Sequence, residues 1–139
     1  MPPPKQSADG TIRLMAIDAD VTGGAGIAGD REPNIGHWNS KKDIVSWKTE
    51  VDRPGKFDVS LLYSMTADRA GATFTFSVGD QKLSGTVEAT RNANTYKDMK
   101  LGTVEIRQLG LTTFTITPDS VPEGGSVMNL RSVTLTPAK

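Results

Sequence analysis

The chain has 139 residues, of which 16 are basic and 16 acidic, so its formal net charge is +0. This length suits a single domain with one hydrophobic core, and the balanced charge argues against nucleic acid or an anionic membrane as a partner, since both select basic proteins. The sequence has no cysteine, which excludes disulfides, thiolate zinc sites and thiol nucleophiles, and no run of about 18 apolar residues, so we expect no membrane insertion.

Residues 1–10 are predicted to form a flexible, Pro-rich leader, because they contain three consecutive prolines and no hydrophobic signal-peptide core. Residues 11–139 are predicted to form one all-β module. Short segments alternate apolar and polar residues with a period of two and are separated by Gly, Pro, Asn and Asp, as strands joined by turns are. In chain order, the predicted strands are 11–17, 35–38, 43–51, 57–64, 74–78, 82–87, 102–107, 112–117 and 127–136.

The segments between the predicted strands contain residues that favour tight turns. Pro54-Gly55 presets the dihedrals of a tight turn, and Gly79-Asp80 predicts a two-residue hairpin. About eight to ten short strands with frequent turns are typical of a two-sheet antiparallel β-sandwich of the jelly-roll kind. We therefore predict that fold, as a single domain.

Residues 24–29 match the glycine pattern of a dinucleotide-binding loop. That motif requires a helix to begin at the glycines, so that backbone N–H groups face the pyrophosphate. The following residues, 30–33, end in proline and show no helical apolar period. We therefore interpret 24–29 as a flexible Gly-rich loop.

His37 is the only histidine, so a His-rich zinc site is excluded. A serine triad would need His37 as its base, and no Gly-x-Ser-x-Gly elbow is present to supply the nucleophile. A single His beside a Trp is more often a surface or cleft contact than a catalyst, and we predict no catalytic residues.

Asp18 and Asp20 alternate with Ile17 and Ala19 in a strand-like run, which would place both carboxylates on one face. Such a pair, supplemented by carbonyl oxygens of a nearby loop, suits Ca²⁺, a hard cation that prefers oxygen ligands. A solvated strand face carrying two charges is the alternative interpretation.

Trp38 and Tyr96 differ from the other aromatic residues because each lies among polar neighbours. An exposed ring beside amides and hydroxyls suits sugar recognition, since the ring stacks on the C–H face of a pyranose while the polar groups bond its hydroxyls. For Trp38 the alternative is a position at the edge of the core. The remaining aromatic residues are predicted to be core residues: Trp47, Phe57, Tyr63, Phe74, Phe76 and Phe114.

The ordered series of segments resembles the β-sandwich carbohydrate-binding modules of families six and thirty-five, the galactose-binding-like jelly rolls appended to bacterial secreted glycosidases and sulfatases. The segments that carry the resemblance are Ala16-Ile17-Asp18-Ala19-Asp20, Asn34-Ile35-Gly36-His37-Trp38, Asp43-Ile44-Val45-Ser46-Trp47, Pro54-Gly55-Lys56-Phe57, Gly102-Thr103-Val104 and Asn129-Leu130-Arg131-Ser132-Val133.

The resemblance implies a structural calcium, at Asp18 and Asp20, and a sugar-binding cleft among the loops at one end. In that cleft it implies roles for His37, Trp38 and Asn129. In the mechanism that we predict, hydrogen bonds to the sugar come from Asn129, Asn92 or Asn94. The Thr-Gly-x-Trp segment of these modules appears here as Thr90-Arg91-Asn92-Ala93, without its ring. Two alternatives follow: Tyr96 supplies the ring, or Arg91 favours an acidic sugar.

The predicted function is that of a non-catalytic module that holds an attached catalytic domain near a polysaccharide or oligosaccharide. The resemblance also implies a secreted or periplasmic location in a bacterium. Two other functions stay open: a structural or protein-interaction domain, which predicts an exposed apolar patch, and a small polysaccharide-degrading enzyme, which requires a facing pair of carboxylates.

Overall fold

The computed structural model of the chain describes residues 6–7, 9–22, 26–28, 34–36, 38, 40–92 and 95–138. These residues form eleven β-strands and one short 3₁₀ helix in two antiparallel sheets, which confirms the predicted single-domain β-sandwich. The strands are β1 (Ile12–Met15), β2 (Asp20–Val21), β3 (Gly26–Ala28), β4 (Asn34–Gly36), β5 (Val45–Val51), β6 (Gly55–Ser64), β7 (Thr73–Val78), β8 (Gln81–Thr86), β9 (Lys97–Ile106), β10 (Gly110–Ser120) and β11 (Asn129–Pro137), and the helix is Ala16–Asp18.

The larger sheet has six strands, in the order β3-β4-β11-β6-β9, with β1 also paired to β11. The smaller sheet has five strands, in the order β2-β5-β10-β7-β8. The first and last strands of the chain are therefore neighbours, with Leu14 of β1 opposite Val133 of β11. β6 runs between β11 and β9, so the residues at its ends position those of both neighbours.

The core lies between the two sheets, where period-two alternation places the apolar side chains. In β7, Phe74, Phe76 and Val78 are buried, while the Thr and Ser residues between them are half-buried on the outer face. Phe76 stacks on Phe114 of β10, with ring centroids 6.3 Å apart. Burying each such ring contributes about 1.5–3 kcal/mol. All six aromatic residues predicted for the core are buried: Trp47, Phe57, Tyr63, Phe74, Phe76 and Phe114.

Three local predictions differ from the structure. The strand predicted over 11–17 ends at Met15, where the backbone turns into the 3₁₀ helix. The strand predicted over 102–107 begins earlier, at Lys97, because β9 pairs with the full length of β6. Within the predicted Gly-rich loop, Gly26–Ala28 forms β3, which pairs with β4. The Gly79-Asp80 hairpin is confirmed, with Val78 opposite Gln81 and a φ of 57° at Gly79.

The flexible leader stays a prediction, and in its last part the amide of Gln6 is hydrogen-bonded to the sandwich. Gln6 Nε2 donates to the carbonyl oxygens of Gly10 (2.8 Å) and Arg53 (3.2 Å). Gln6 Oε1 accepts from the backbone N–H groups of Asp52 (3.0 Å) and Arg53 (2.8 Å). The Gln6 side chain is buried and forms hydrogen bonds with backbone groups of Gly10, Asp52 and Arg53. Residues 1–5 lie outside the described part of the chain.

The sandwich has two distinct ends. The loop end carries the connections 40–44, 65–72, 87–92 and 121–128, and the terminal end carries the connections 52–54, 79–80 and 107–109. At about 3.3 Å per residue, β6 separates the two ends by roughly 30 Å. No helix among the described residues is long and apolar enough to cross a membrane.

Candidate functional site

The first part of the connection between β8 and β9, residues 87–92, is joined to the rest of the sandwich by hydrogen bonds. The backbone N–H of Thr90 donates to the Met65 carbonyl (2.8 Å), and the Met65 N–H donates to Thr90 Oγ1 (3.2 Å). Thr90 Oγ1 also donates to the Asn92 carbonyl (2.8 Å). Tyr63 Oη donates to the Glu88 carbonyl (2.9 Å), and burial, aided by the nearby Glu88 carboxylate, raises the pKa of Tyr63. Because these bonds join two loops to the core, a site at this end is largely formed before any ligand binds.

Tyr96 and Arg131 form a stacked pair at the loop end of the larger sheet. The guanidinium carbon Cζ of Arg131 lies 3.6 Å from the centroid of the Tyr96 ring. Tyr96 immediately precedes β9, whereas Arg131 belongs to β11, so the arginine side chain reaches across β6. A cation–π contact of this kind contributes about 0.5–2 kcal/mol, depending on its exposure. It joins a planar set of hydrogen-bond donors to a ring that has an apolar face.

Asn129 lies two residues before Arg131 and adds an amide to the same region. Its Nδ2 donates to Ser64 Oγ (3.3 Å) across the β11–β6 pair. On its other side is Gly36, where an added Cβ would lie 3.9 Å from Asn129 Oδ1 and 3.6 Å from Asn34 Nδ2. Because Gly36 has no side chain, nothing projects from the sheet at this position, beside the amides of Asn34 and Asn129.

Trp38, which the sequence placed in the sugar site, is a core residue. Its ring is 0% exposed, and its Nε1 donates to the Asp43 carbonyl at 2.6 Å. Its own carbonyl accepts from the backbone N–H of Val127 at 2.6 Å. A fully buried ring has no face available for stacking on a sugar, which favours the alternative interpretation, a core position, and a binding role for Trp38 stays a prediction.

The other predicted ligand-binding residues are distributed around this region. Arg91 and Asn92 are exposed on the connection after β8, and Asn92 Oδ1 accepts from Oγ1 of Thr95 (3.0 Å), the residue before Tyr96. His37 and Asn94 lie outside the described residues. The structure therefore brings Tyr96 and Asn129 to one sheet end, with Arg91 and Asn92 on the adjoining loop.

The predicted calcium pair does not share a strand face. Asp18 ends the 3₁₀ helix, Asp20 begins β2, and both are exposed. Ca²⁺ takes about six to eight oxygen ligands. Within the described ranges, no group of three or more His, Cys, Asp or Glu side chains is placed to hold a metal. Calcium at Asp18 and Asp20 stays a prediction, because carbonyl oxygens of a nearby loop are also calcium ligands.

Arg131 is the main residue of this region that the sequence reasoning did not select. The alternation of the last strand contained a signal for it: Leu130 faces the core, so Asn129 and Arg131 fall on the outer side together. The register irregularity between Leu130 and Ser132 adds one residue to β11 here, opposite β6. The contact between Arg131 and Tyr96 depends on the strand order β11-β6-β9. The residues that surround Arg131 in the sequence therefore do not predict it.

The fold is that of the carbohydrate-binding modules of families 6 and 35, as the sequence resemblance predicted. The chain belongs to the family described as a domain of unknown function, DUF5077, whose model matches residues 21–138. That match begins within β2, so β1, Asp18 and Asp20 precede it. No curated protein matches the sequence.

Three solved structures illustrate the likeness. The family 35 carbohydrate binding module from Clostridium thermocellum has a TM-score of 0.70 and 15% identity over 90% of this chain and 98% of that chain. The family 6 module of Cellvibrio mixtus lichenase 5A, in complex with cellotriose, has a TM-score of 0.68 and 17% identity over 92% of this chain and 98% of that one. The Podospora anserina GH26-CBM35 β-(1,4)-mannanase has a TM-score of 0.72 and 17% identity over 94% of this chain, which spans only 28% of the mannanase chain.

Proposed function

We propose that this protein is a non-catalytic carbohydrate-binding module, and that its site is the surface formed by Tyr96, Arg131 and Asn129. The observation that carries the proposal is the Arg131–Tyr96 stack beside the Asn129 amide. It combines a ring, a planar donor group and an amide, which are the groups that recognise hydroxyl-rich ligands. The fold it shares with known carbohydrate-binding modules supports this choice over other polar ligands.

The mechanism is shallow binding on a preformed surface. The free part of the Tyr96 ring packs on the C–H face of a sugar, while Arg131 and Asn129 bond its hydroxyl groups. Arg91, exposed on the adjoining loop, favours a sugar that carries a carboxylate. Weak affinity is expected, because one ring must offset the entropy lost on association.

The proposal also covers the attachment of the module to another domain and its location in the cell. The module holds an attached catalytic domain near its polysaccharide, as a secreted or periplasmic protein of a bacterium.

The test is a calorimetric titration of the protein against cello-, manno- and β-1,3-galacto-oligosaccharides and an oligosaccharide of uronic acids. We expect the Tyr96→Ala variant to lose about 1–3 kcal/mol, roughly ten- to hundredfold in affinity, as the loss of one stacking ring does. Thr113→Ala, an exposed change on the other sheet, is the matched control and should bind like the parent protein.

Two further variants separate the sugar classes. Arg91→Ala should weaken binding only of the acidic sugar, and more strongly at low salt. Arg131→Ala should weaken binding of every sugar that binds. Flat titrations across the panel, or unchanged affinity in Tyr96→Ala, would refute the proposal.

Calcium is a separate part of the proposal, with its own measurement. If Asp18 and Asp20 contribute to a calcium site, calcium raises the melting temperature of the parent protein and not that of the Asp18→Asn variant, because a ligand bound to the folded state stabilises it. Identical melting curves in calcium and in chelator would remove calcium from the proposal.

A further inference from the structure

Ser64, the last residue of β6, carries a buried hydroxyl group on the outer face of the larger sheet. The alternation along β6 turns Tyr63 into the core, so the side chain of Ser64 is directed outward. Asp58, on the same face of the strand, is exposed, whereas Ser64 is 0% exposed. A residue on an outer face is buried only where other groups cover it.

The strand pairing places Ser64 between the residues of the proposed sugar site. Asn129 of β11 is its cross-strand partner on one side. On the other side, β9 begins one residue after Tyr96 and pairs with the end of β6, which brings Tyr96 beside Ser64. The side chain of Arg131 reaches Tyr96 across β6 and so crosses this strand near Ser64. Ser64 is therefore the floor of the site, between the amide and the stacked pair.

The hydroxyl group of Ser64 fixes the direction of the Asn129 amide. Asn129 Nδ2 donates to Ser64 Oγ (3.3 Å), so the nitrogen is turned toward β6. Asn129 Oδ1 is turned toward β4, where it lies 3.9 Å from the position that a Cβ on Gly36 would occupy. Among the described residues, this bond to Ser64 is the one hydrogen bond of the Asn129 side chain. It uses one of the two N–H donors of the amide, and it holds the second N–H and Oδ1 in set positions.

We infer that Ser64 is a positioning residue, which holds the Asn129 amide so that it binds two neighbouring hydroxyl groups of one sugar ring. One hydroxyl group donates to Oδ1 and the other accepts from the second N–H. An amide that is already oriented also loses less rotational freedom on binding than one that is free to turn. The inference deepens the proposed function and rests on it. It names the ligand class as a sugar with two adjacent, unsubstituted hydroxyl groups, because a methyl ether has no proton to donate to Oδ1.

The first test needs no ligand. The order parameter of the Asn129 side-chain NH₂ group is measured by NMR relaxation in the parent protein, in Ser64→Ala and in Ser60→Ala. Ser60 is the matched control, because it lies on the same face of β6, outside the site, and is half-buried. We expect the order parameter to fall below about 0.6, the range of flexible groups, in Ser64→Ala only. An unchanged order parameter in Ser64→Ala would overturn the inference.

The second test is a double-variant comparison with the oligosaccharide of the calorimetric panel that binds most tightly. Ser64→Ala should bind it about three- to tenfold more weakly, as the loss of one neutral hydrogen bond predicts, and Ser60→Ala should bind it like the parent. Because Ser64 acts through Asn129, combining Ser64→Ala with Asn129→Ala should weaken binding no more than Asn129→Ala alone. Additive losses would show that Ser64 acts independently of Asn129, and the inference would then be wrong.

The third test uses deoxy analogues of the same oligosaccharide, each lacking one hydroxyl group. The parent protein should bind the analogues that lack either of two adjacent hydroxyl groups about three- to tenfold more weakly, and Ser64→Ala should discriminate less. Equal discrimination by both proteins is the result of a merely structural role for Ser64, and it would refute the inference while leaving sugar binding established. If no sugar of the panel binds, the proposed function and the ligand class both fail, and the order parameter still decides whether Ser64 holds the Asn129 amide.

Discussion

Replacing Trp38 is the sharpest way to separate a core role from a binding role. Its ring is fully buried and its indole N–H donates to the Asp43 carbonyl at 2.6 Å. Trp38→Ala removes the ring and this hydrogen bond, which should cost about 3–5 kcal/mol by the usual cost of large-to-small core changes. Trp38→Phe keeps most of the packing and removes the donor, which should cost about 1–3 kcal/mol. Against a total stability of about 5–15 kcal/mol, the alanine variant approaches the limit of folding.

The assay is urea unfolding followed by circular dichroism, with the melting temperature as a second readout. At roughly 3 °C per kcal/mol for a domain of this size, Trp38→Ala should melt about 10–15 °C lower than the parent. The chain offers a matched control in Trp47, which is 1% exposed and whose Nε1 donates to the Met15 carbonyl at 2.8 Å. Trp47→Phe should therefore behave like Trp38→Phe. The reasoning would be refuted if Trp38→Phe kept full stability and lost sugar binding, because the ring would then be serving a ligand.

Two further predictions concern stability. Gln6→Ala should destabilise the protein by about 2 kcal/mol in urea unfolding, because the buried amide of Gln6 makes four hydrogen bonds to backbone groups. An unchanged urea midpoint would support the flexible leader. Gly85→Ala should cost about 1–3 kcal/mol by overpacking, because the added Cβ would lie 2.8 Å from both Leu101 Cδ2 and Phe74 Cζ. Gly26→Ala, with nothing within 4 Å of the added Cβ, is the control, and an equal loss there would contradict the packing argument.

The sequence predicted the sandwich well where strands alternate strictly. β6 and β7 each place apolar residues at every second position, so the strand, its inner face and its core aromatic residues were all readable from a local pattern. Short edge strands were not readable. β2 has two residues and β3 three, and such segments are strands only because β5 and β4 supply their partners.

The candidate site shows a similar division. Tyr96 was selected from its polar surroundings and Asn129 from the family resemblance, and the structure places both at the loop end of one sheet. Trp38 has equally polar neighbours in sequence, yet the connection between β4 and β5 carries its ring into the core. Burial is decided by which elements pack over a residue, and neighbours along the chain do not report this.

By itself, the sequence determined the all-β class, the inward faces of the long strands and the tight hairpin at Gly79. These follow from backbone sterics and the period of two, which act over a few residues. Tertiary structure alone decided that Arg131 reaches Tyr96 across β6 and that Gln6 is hydrogen-bonded to the 52–53 turn. Each of these contacts joins residues far apart in the sequence, and their proximity is set by strand order and register.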